Sequence, residues 1–290
     1  KVIARYMQYR AANKIYQRVI DNLESRDAKN KGLVWHWQGS GKTLTMIFAG
    51  HKLFFDKRLE NPTIFFIIDR RDLENQMNNE LSSLRLNFSF EKIGSVRKLK
   101  EVIYHDNFRG KRGVFLTLIH KFSPEEKFVP EELLSDIQLS QQGISSISER
   151  KNVVCFLDEV HRSQYGLLAA QMKKVLQNAF FFGFTGTPIA EDERNTYAEF
   201  GYPLKEEGYL DKYFIDDSQK DGFTLPLVYQ PRLEKLHIKE DELRLFLERV
   251  QSEDITETEK EKIEKSVRQK LNYISVFLEN EKRVRKIAKD

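Results

Sequence analysis

The residues of this chain best suited to phosphate chemistry are Gly39-Ser40-Gly41, Lys42 and Thr43. The two glycines let backbone N–H groups turn inward around an anion, because no Cβ blocks the approach. Lys42 could reach the outer phosphates of a nucleotide, and the Thr43 hydroxyl could ligate Mg²⁺. An apolar run precedes this segment and a helical pattern follows it, which is the context of a phosphate-binding loop.

One residue departs from the usual loop pattern. G-x-x-x-x-G-K-[ST] has glycine at the position where this chain has His36. An ordinary strand–turn–helix joint with a solvated Lys42 is therefore a second interpretation of the segment. A phosphate-binding loop also does not show which process the energy of nucleotide hydrolysis would drive.

Two acidic residues, Asp158 and Glu159, follow a second apolar run. In isolation such a pair often caps a helix. Beside a phosphate-binding loop, one carboxylate can hold Mg²⁺ through water and the other can orient an attacking water molecule. His161 adds a group that could sense the outermost phosphate. We therefore predict a hydrolytic half-site here.

A turn with two hydroxyl groups, Thr185-Gly186-Thr187 followed by Pro188, closes the next apolar run. The simplest interpretation is a turn in which proline ends a strand. After the two preceding motifs, in this order, a coupling element between the nucleotide and a nucleic acid is favoured.

Alternating strands and helices must position these motifs. Apolar runs of strand length and helical patterns follow each other across residues 32–188, which predicts an α/β fold with a mostly parallel sheet flanked by helices. The polar motifs all follow strands, where open α/β sheets bind their ligands. Strands are predicted at 32–35, 63–68, 89–93, 113–119, 152–157 and 179–184, and helices at 5–25, 44–58, 72–84, 95–104 and 167–176.

The remaining segments have weaker patterns. Residues 123–151 lose periodicity and predict a surface loop insertion outside the core. A helix is predicted over 209–221 and a strand over 224–229. The charged, helical segment 236–290 is expected to lead towards a further domain.

Composition limits the remaining possibilities. The chain has 290 residues, 40% of them hydrophobic, which is typical of a globular protein, and its net charge of +4 is too small to argue for nucleic-acid binding. Its single cysteine excludes a disulfide framework and a cysteine zinc site. Neither a signal peptide nor a stretch of membrane-spanning length is visible, so a soluble cytoplasmic protein is the default expectation. Lys1 in place of methionine suggests a fragment of a longer chain.

Three strings of residues resemble a known family. They are residues 35–43, 158–166 and 182–189, which contain GSGKT, Asp-Glu-x-His and Thr-Gly-Thr-Pro. This order resembles superfamily 2 helicases and translocases and, more narrowly, the motor (R) subunit of type I restriction enzymes. His36 is at home in that subfamily, so the departure supports the narrower resemblance.

The resemblance implies a bacterial or archaeal motor that uses ATP and Mg²⁺. It implies an N-terminal helix with a Q-type motif (1–30), a first RecA-like domain (31–235) and a helical segment (236–290). A second such domain and the nuclease would lie outside the chain. Implied partners are double-stranded DNA and the methyltransferase and specificity subunits. The implied roles are catalysis by Lys42, Asp158, Glu159 and His161; adenine recognition by Arg5, Tyr6 and Gln8; Mg²⁺ binding by Thr43 and Asp158; coupling by Thr185, Gly186 and Thr187; and DNA contact by Asp69, Arg70 and Thr117.

Two other functions remain open. A P-loop small-molecule phosphotransferase would be active without DNA. A nucleotide-gated scaffold without catalysis would not need Glu159. Stimulation of ATP hydrolysis by duplex DNA separates the motor from both.

Overall fold

The computed structural model describes residues 3–84, 89–123, 130–140, 146–160, 165–188, 190–191, 194–202 and 208–225. The described residues belong to a unit that comprises Lys1–Pro226, and Leu227–Asp290 form a second unit. The predicted helical segment 236–290 lies outside the described residues, as does most of the strand predicted over 224–229. Within the described part, no helix is both long and apolar enough to cross a membrane.

Parallel strands form the centre of the described fold. The strands are β1 (Lys31–His36), β2 (Thr63–Ile68), β3 (Phe90–Lys92), β4 (Gly113–Leu118), β5 (Val153–Leu157), β6 (Phe180–Thr185), β7 (Ala190–Glu191), β8 (Arg194–Asn195) and β9 (Asp211–Tyr213). Seven of those described form one sheet in the order β3-β4-β2-β5-β6-β1-β9, with every pair parallel. The strands β7 and β8 form a separate antiparallel pair.

Helices cover both faces of this sheet. They are α1 (Tyr6–Leu23), α2 (Lys42–Phe54), α3 (Arg71–Ser83), α4 (Val96–Phe108), α5 (Pro130–Ser140), α6 (Tyr165–Val175), α7 (Thr196–Phe200) and α8 (Ile215–Lys220). Residues of α1, α2 and α3 pack in one hydrophobic cluster, and residues of α4, α5 and α6 pack in another. Every residue of β2 is buried, as expected for a parallel strand covered on both faces. The predicted α/β class is therefore confirmed.

Three predicted segments differ in the structure. The described part of 123–151 is not a surface loop, because α5 contributes Leu133 and Ile137 to the core and Ile147 is fully buried. The helix predicted over 209–221 is instead β9 followed by the short helix α8. α2 ends at Phe54, before the predicted residue 58, since the Asp56 side chain accepts a hydrogen bond from Arg58 N and starts a 3₁₀ turn, Lys57–Leu59.

Candidate active site

The phosphate-loop segment connects β1 to α2 at the carboxyl edge of the sheet, which is the side where the parallel strands have their carboxyl ends. Gly39 and Gly41 have φ angles of +79° and +80°, in the left-handed region that glycine adopts without strain. Gly41 is the N-cap of α2, so the free N–H groups of the first turn face the loop. The Ser40 Oγ is buried and lacks a hydrogen-bond partner in the described structure. These features fit an anion that approaches the loop.

Gln8 on α1 contacts the same loop. Its Nε2 donates to Ser40 O at 3.0 Å and lies 3.4 Å from Gly41 O, while its Oε1 accepts from Arg5 N at 3.0 Å. A Cβ at residue 41 would displace the Gln8 amide from this contact, and the backbone conformation of Gly41 itself favours glycine. In this structure the Gln8 amide binds the loop backbone, and adenine recognition by Gln8 stays a prediction.

Lys42 and the acidic pair meet across the carboxyl edge. Lys42 Nζ lies 3.6 Å from Glu159 Oε1, with both side chains largely buried. Asp158 is buried and its Oδ1 accepts from Glu159 N at 3.0 Å. Glu159 has a φ of +51°, a conformation that is unfavourable for a residue with a side chain and often occurs at functional sites. The structure thus brings Lys42 close to an acidic pair that lies 116 and 117 positions further along the chain.

The Thr185–Thr187 turn lies next to the phosphate loop. Thr185 Oγ1 accepts from Thr187 N at 3.0 Å, and Trp35 Nε1 donates to Gly186 O at 3.1 Å. A Cβ on Gly186 would be 3.2 Å from Gln38 Cγ. The predicted coupling element is therefore in direct contact with the segment that leads into the loop.

Two other residues of the predicted Q-type motif contact the segment after β9. The Arg5 guanidinium lies 4.0 Å from the centre of the Phe223 ring. The Tyr6 hydroxyl donates to Asp221 Oδ2 at 2.8 Å. Burial and this bond raise the pKa of Tyr6 to about 12, so the hydroxyl stays protonated at neutral pH. Adenine recognition by these residues stays a prediction.

The predicted DNA-contact residues differ in accessibility. Asp69 and Arg70 follow β2 and form an ion pair at 3.7 Å, with the Arg70 side chain 61% exposed. Thr117 is fully buried in β4, and its Oγ1 has no hydrogen-bond partner in the described structure. In this conformation Thr117 offers no surface to DNA, because its strand lies inside the sheet.

The remaining catalytic and metal predictions can be placed in part. His161 lies outside the described residues. Within the described part of the chain, no group of three or more His, Cys, Asp or Glu residues could hold a metal ion. Mg²⁺ that is bound through nucleotide phosphates needs only one or two protein ligands. Thr43 in the first turn of α2 and the buried carboxylate of Asp158 fit such a site.

Sequence reasoning missed a buried polar network beside the loop. His36 Nε2 lies 2.8 Å from Asp211 Oδ2, and both side chains are almost completely buried. Arg10 and Lys14 on α1 form ion pairs with the same carboxylate. The unusual histidine was a signal in the sequence, and residues 209–213 resemble the family's continuation, but neither predicts the contact between His36 and Asp211.

Comparisons with known proteins agree with this arrangement. The sequence model of the SWI2/SNF2 ATPase family matches residues 7–262. The chain belongs to the SWI2/SNF2 ATPase family. The match includes α1 from Met7 onward, the phosphate loop and the acidic pair, so these elements are part of the family domain.

Two relatives support the narrower resemblance. The chain is 37% identical, over 91% of its length, to a Methanocaldococcus jannaschii protein provisionally named type I restriction enzyme MjaVIIIP endonuclease subunit, and covers 26% of it. It is 31% identical, over 86% of its length, to the type I restriction enzyme HindI endonuclease subunit of Haemophilus influenzae, and covers 23% of it. The chain thus spans about a quarter of these relatives. The predicted resemblance to type I restriction enzymes is confirmed.

A solved structure has a more distant likeness. A nuclease-deletion mutant of the Type ISP restriction-modification enzyme LlaGI, in complex with a DNA substrate mimic, is 11% identical with a TM-score of 0.46. That overlay covers 87% of this chain and 23% of the LlaGI chain.

Proposed function

We propose that this SWI2/SNF2 domain hydrolyses ATP and that hydrolysis drives movement along double-stranded DNA within a type I restriction enzyme. The observation that carries the proposal is the 3.6 Å contact between Lys42 Nζ and Glu159 Oε1 beside a glycine loop. A phosphate-binding amine and a carboxylate that can orient water are thereby within reach of one terminal phosphate.

Each residue of the edge has a role in the proposed reaction. Lys42 and the loop N–H groups bind the β- and γ-phosphates and compensate the charge that develops on them. Glu159 orients the attacking water. Because Lys42 is paired with Glu159 in this structure, the bound phosphate must first draw Lys42 away from Glu159. Thr43 and Asp158 would hold Mg²⁺, which would neutralise phosphate charge when bound.

The Thr185–Thr187 turn would transmit the nucleotide state. It contacts the segment entering the phosphate loop through the Trp35–Gly186 bond, so a shift of the loop on phosphate release would reach the turn. The exposed Arg70 would contact the DNA backbone from the same edge of the sheet, and Asp69 would orient it through their ion pair.

The assembly is proposed from the relatives. Proteins similar to this chain are named type I restriction enzyme endonuclease subunits, and the chain matches about a quarter of their length. We therefore infer that methyltransferase and specificity subunits are partners, that the nuclease site lies in another part of the subunit, and that the enzyme acts in the cytoplasm.

The test is ATP hydrolysis by the full-length chain with and without duplex DNA. We expect DNA to stimulate hydrolysis and Lys42→Ala to reduce it at least about a hundredfold, because a charged phosphate contact is lost. Lys52→Ala is the matched control, since Lys52 lies on the same helix but is bonded to Asn13. Full activity of Lys42→Ala would refute the assignment. Hydrolysis without DNA stimulation would favour a small-molecule phosphotransferase, and binding without hydrolysis would favour a scaffold.

A further inference from the structure

We propose that Asp211 is a positioning residue for the phosphate loop and that it acts through His36. The proposal rests on the proposed ATPase function and adds a residue that neither the motif nor the comparisons assign. Asp211 does not touch the loop itself, so its effect must pass through its neighbours.

Asp211 is the centre of a buried network. Its Oδ2 lies 2.8 Å from His36 Nε2 and 3.0 Å from an Arg10 guanidinium nitrogen. Its Oδ1 lies 2.9 Å from Arg10 Nε and 2.8 Å from Lys14 Nζ. The side chain of Asp211 is only 1% exposed. A carboxylate buried to this degree requires such partners, so the network fixes α1, β1 and β9 relative to one another.

The protonation states define the direction of the central bond. Burial lowers the pKa of His36, and the positive charges of Arg10 and Lys42 act in the same direction, against Asp211. Burial alone would raise the pKa of Asp211, but bonds from His36, Arg10 and Lys14 bring it to about 2. At neutral pH a neutral imidazole therefore donates its Nε2–H to an ionised carboxylate. His36 Nδ1 is buried and has no hydrogen-bond partner in the described structure, so the bond to Asp211 orients the ring.

His36 passes this constraint to the loop. It is the last residue of β1, and the next residue, Trp37, donates its backbone N–H to Tyr213 O at 2.8 Å. The strand β9 is the outermost strand of the sheet and pairs with β1 at three positions, so only a few backbone hydrogen bonds join the two strands. The Asp211 network adds side-chain bonds at the point where the ladder ends and the loop begins.

The helix α1 thus contacts both ends of the loop. Gln8 binds the backbone at Ser40 and Gly41, at the far end. Arg10, two residues further along the same helix, reaches the near end through Asp211 and His36. A loop fixed at both ends presents its N–H groups in one geometry before phosphate arrives, which favours binding.

Asp211→Asn in the full-length chain tests the proposal. The variant keeps the shape of the side chain and removes the charge that binds Arg10, Lys14 and His36. We expect kcat/KM for ATP to fall by about 10- to 100-fold, mainly through a higher KM. The loop N–H groups would no longer be held in the geometry that binds phosphate. Thermal unfolding is measured in parallel.

Asp56→Asn is the matched control. Asp56 also accepts a bond from α1, at 2.6 Å from the Tyr16 hydroxyl, and is largely buried, but it lies at the other end of α2. We expect this variant to lose stability while its KM for ATP stays within about twofold of the unmodified chain, since it does not displace the loop. Equal KM values for Asp211→Asn and Asp56→Asn would overturn the proposal.

His36 variants identify the route of the effect. If Asp211 acts through His36, adding Asp211→Asn to His36→Ala changes KM little further, and additive effects would contradict the proposal. His36→Gln, which keeps an N–H donor, should have a lower KM than His36→Ala even if the Asp211 variant does not fold; equal values would also contradict it. An unmodified full-length chain without ATPase activity would instead refute the proposed function.

Discussion

The two edges of the sheet both bury charged side chains, but with different partners. At the carboxyl edge, Lys42 faces Glu159 and His36 faces Asp211, so each of these two groups has a charged counterpart. At the amino edge, the buried Arg150 donates its hydrogen bonds to neutral acceptors.

At the amino edge, the hydrogen bonds of Arg150 hold neighbouring loops and the start of β2 together. Arg150 donates to Arg109 O at 2.8 Å, to Thr63 Oγ1 at 2.8 Å and to Asn152 Oδ1 at 3.0 Å. Burial lowers the pKa of Arg150 to about 9, and the nearby Arg112 acts in the same direction, yet it remains charged at neutral pH. Most N–H donors of this guanidinium are used by the protein's own acceptors, which leaves little capacity for a ligand. The difference between the edges therefore separates groups that fold the protein from groups that can act.

Glu159→Gln should have the largest effect, and this effect should be on activity and not on stability. We expect kcat for ATP hydrolysis in the full-length chain to fall by about 10²- to 10⁴-fold, because the group that orients water is lost, with nucleotide binding retained. Glu149→Gln, at an exposed position near the amino edge, is the control and should leave kcat unchanged. A Glu159→Gln enzyme with normal kcat would remove the functional contrast between the edges.

Arg150→Met should affect stability instead. It removes the donor from several buried acceptors, so we expect the free energy of unfolding to fall by about 2 to 3 kcal/mol, with KM for ATP unchanged. Urea unfolding measures the loss. Arg112→Met, which removes one bond to Asn61 O at an exposed site, should cost less. A large rise in KM for Arg150→Met would show that the amino edge also controls the site.

The smallest expected effect is a dependence of stability on pH at the carboxyl edge. Burial lowers the pKa of His36 below 6.5, so the unfolded chain takes up a proton before the folded chain does. Stability should therefore fall as the pH drops below about 6.5, towards the lowered pKa. His36→Gln should reduce this slope. Burial also lowers the pKa of His51, so His51→Gln should reduce the slope too. Its effect should be smaller than that of His36→Gln, because His51 is only partly buried. Equal slopes for His36→Gln and the unmodified chain would contradict this prediction.

Local patterns in the sequence were sufficient for most of the fold. The run Thr63–Ile68 was predicted as a buried parallel strand and is one, because a continuous apolar segment of that length has few other stable conformations. β9 was missed since three residues carry no usable period, and only pairing with β1 makes them a strand. The helix α5 was missed because the segment was judged by its Pro, Ser, Gln and Glu content, although Leu133 and Ile137 have helical spacing.

The same limit applies to the site. The loop motif gave the residues Gly39–Thr43 and their chemistry, as the backbone conformation requires glycine locally. The contact of Gln8 with the loop and the contact of Asp211 with His36 join residues 32 and 175 positions apart. No local pattern encodes such contacts, so both needed the three-dimensional arrangement.

The bond from Trp35 to Gly186 has a practical consequence. Trp35 and Trp37 are the two tryptophans of this chain, and they lie at the entrance of the phosphate loop. Since indole emission depends on hydrogen bonding and on solvent around the ring, the tryptophan fluorescence of this chain originates where nucleotide would bind. The domain thus carries its own optical reporter, and a titration with nucleotide can follow the loop without any attached dye.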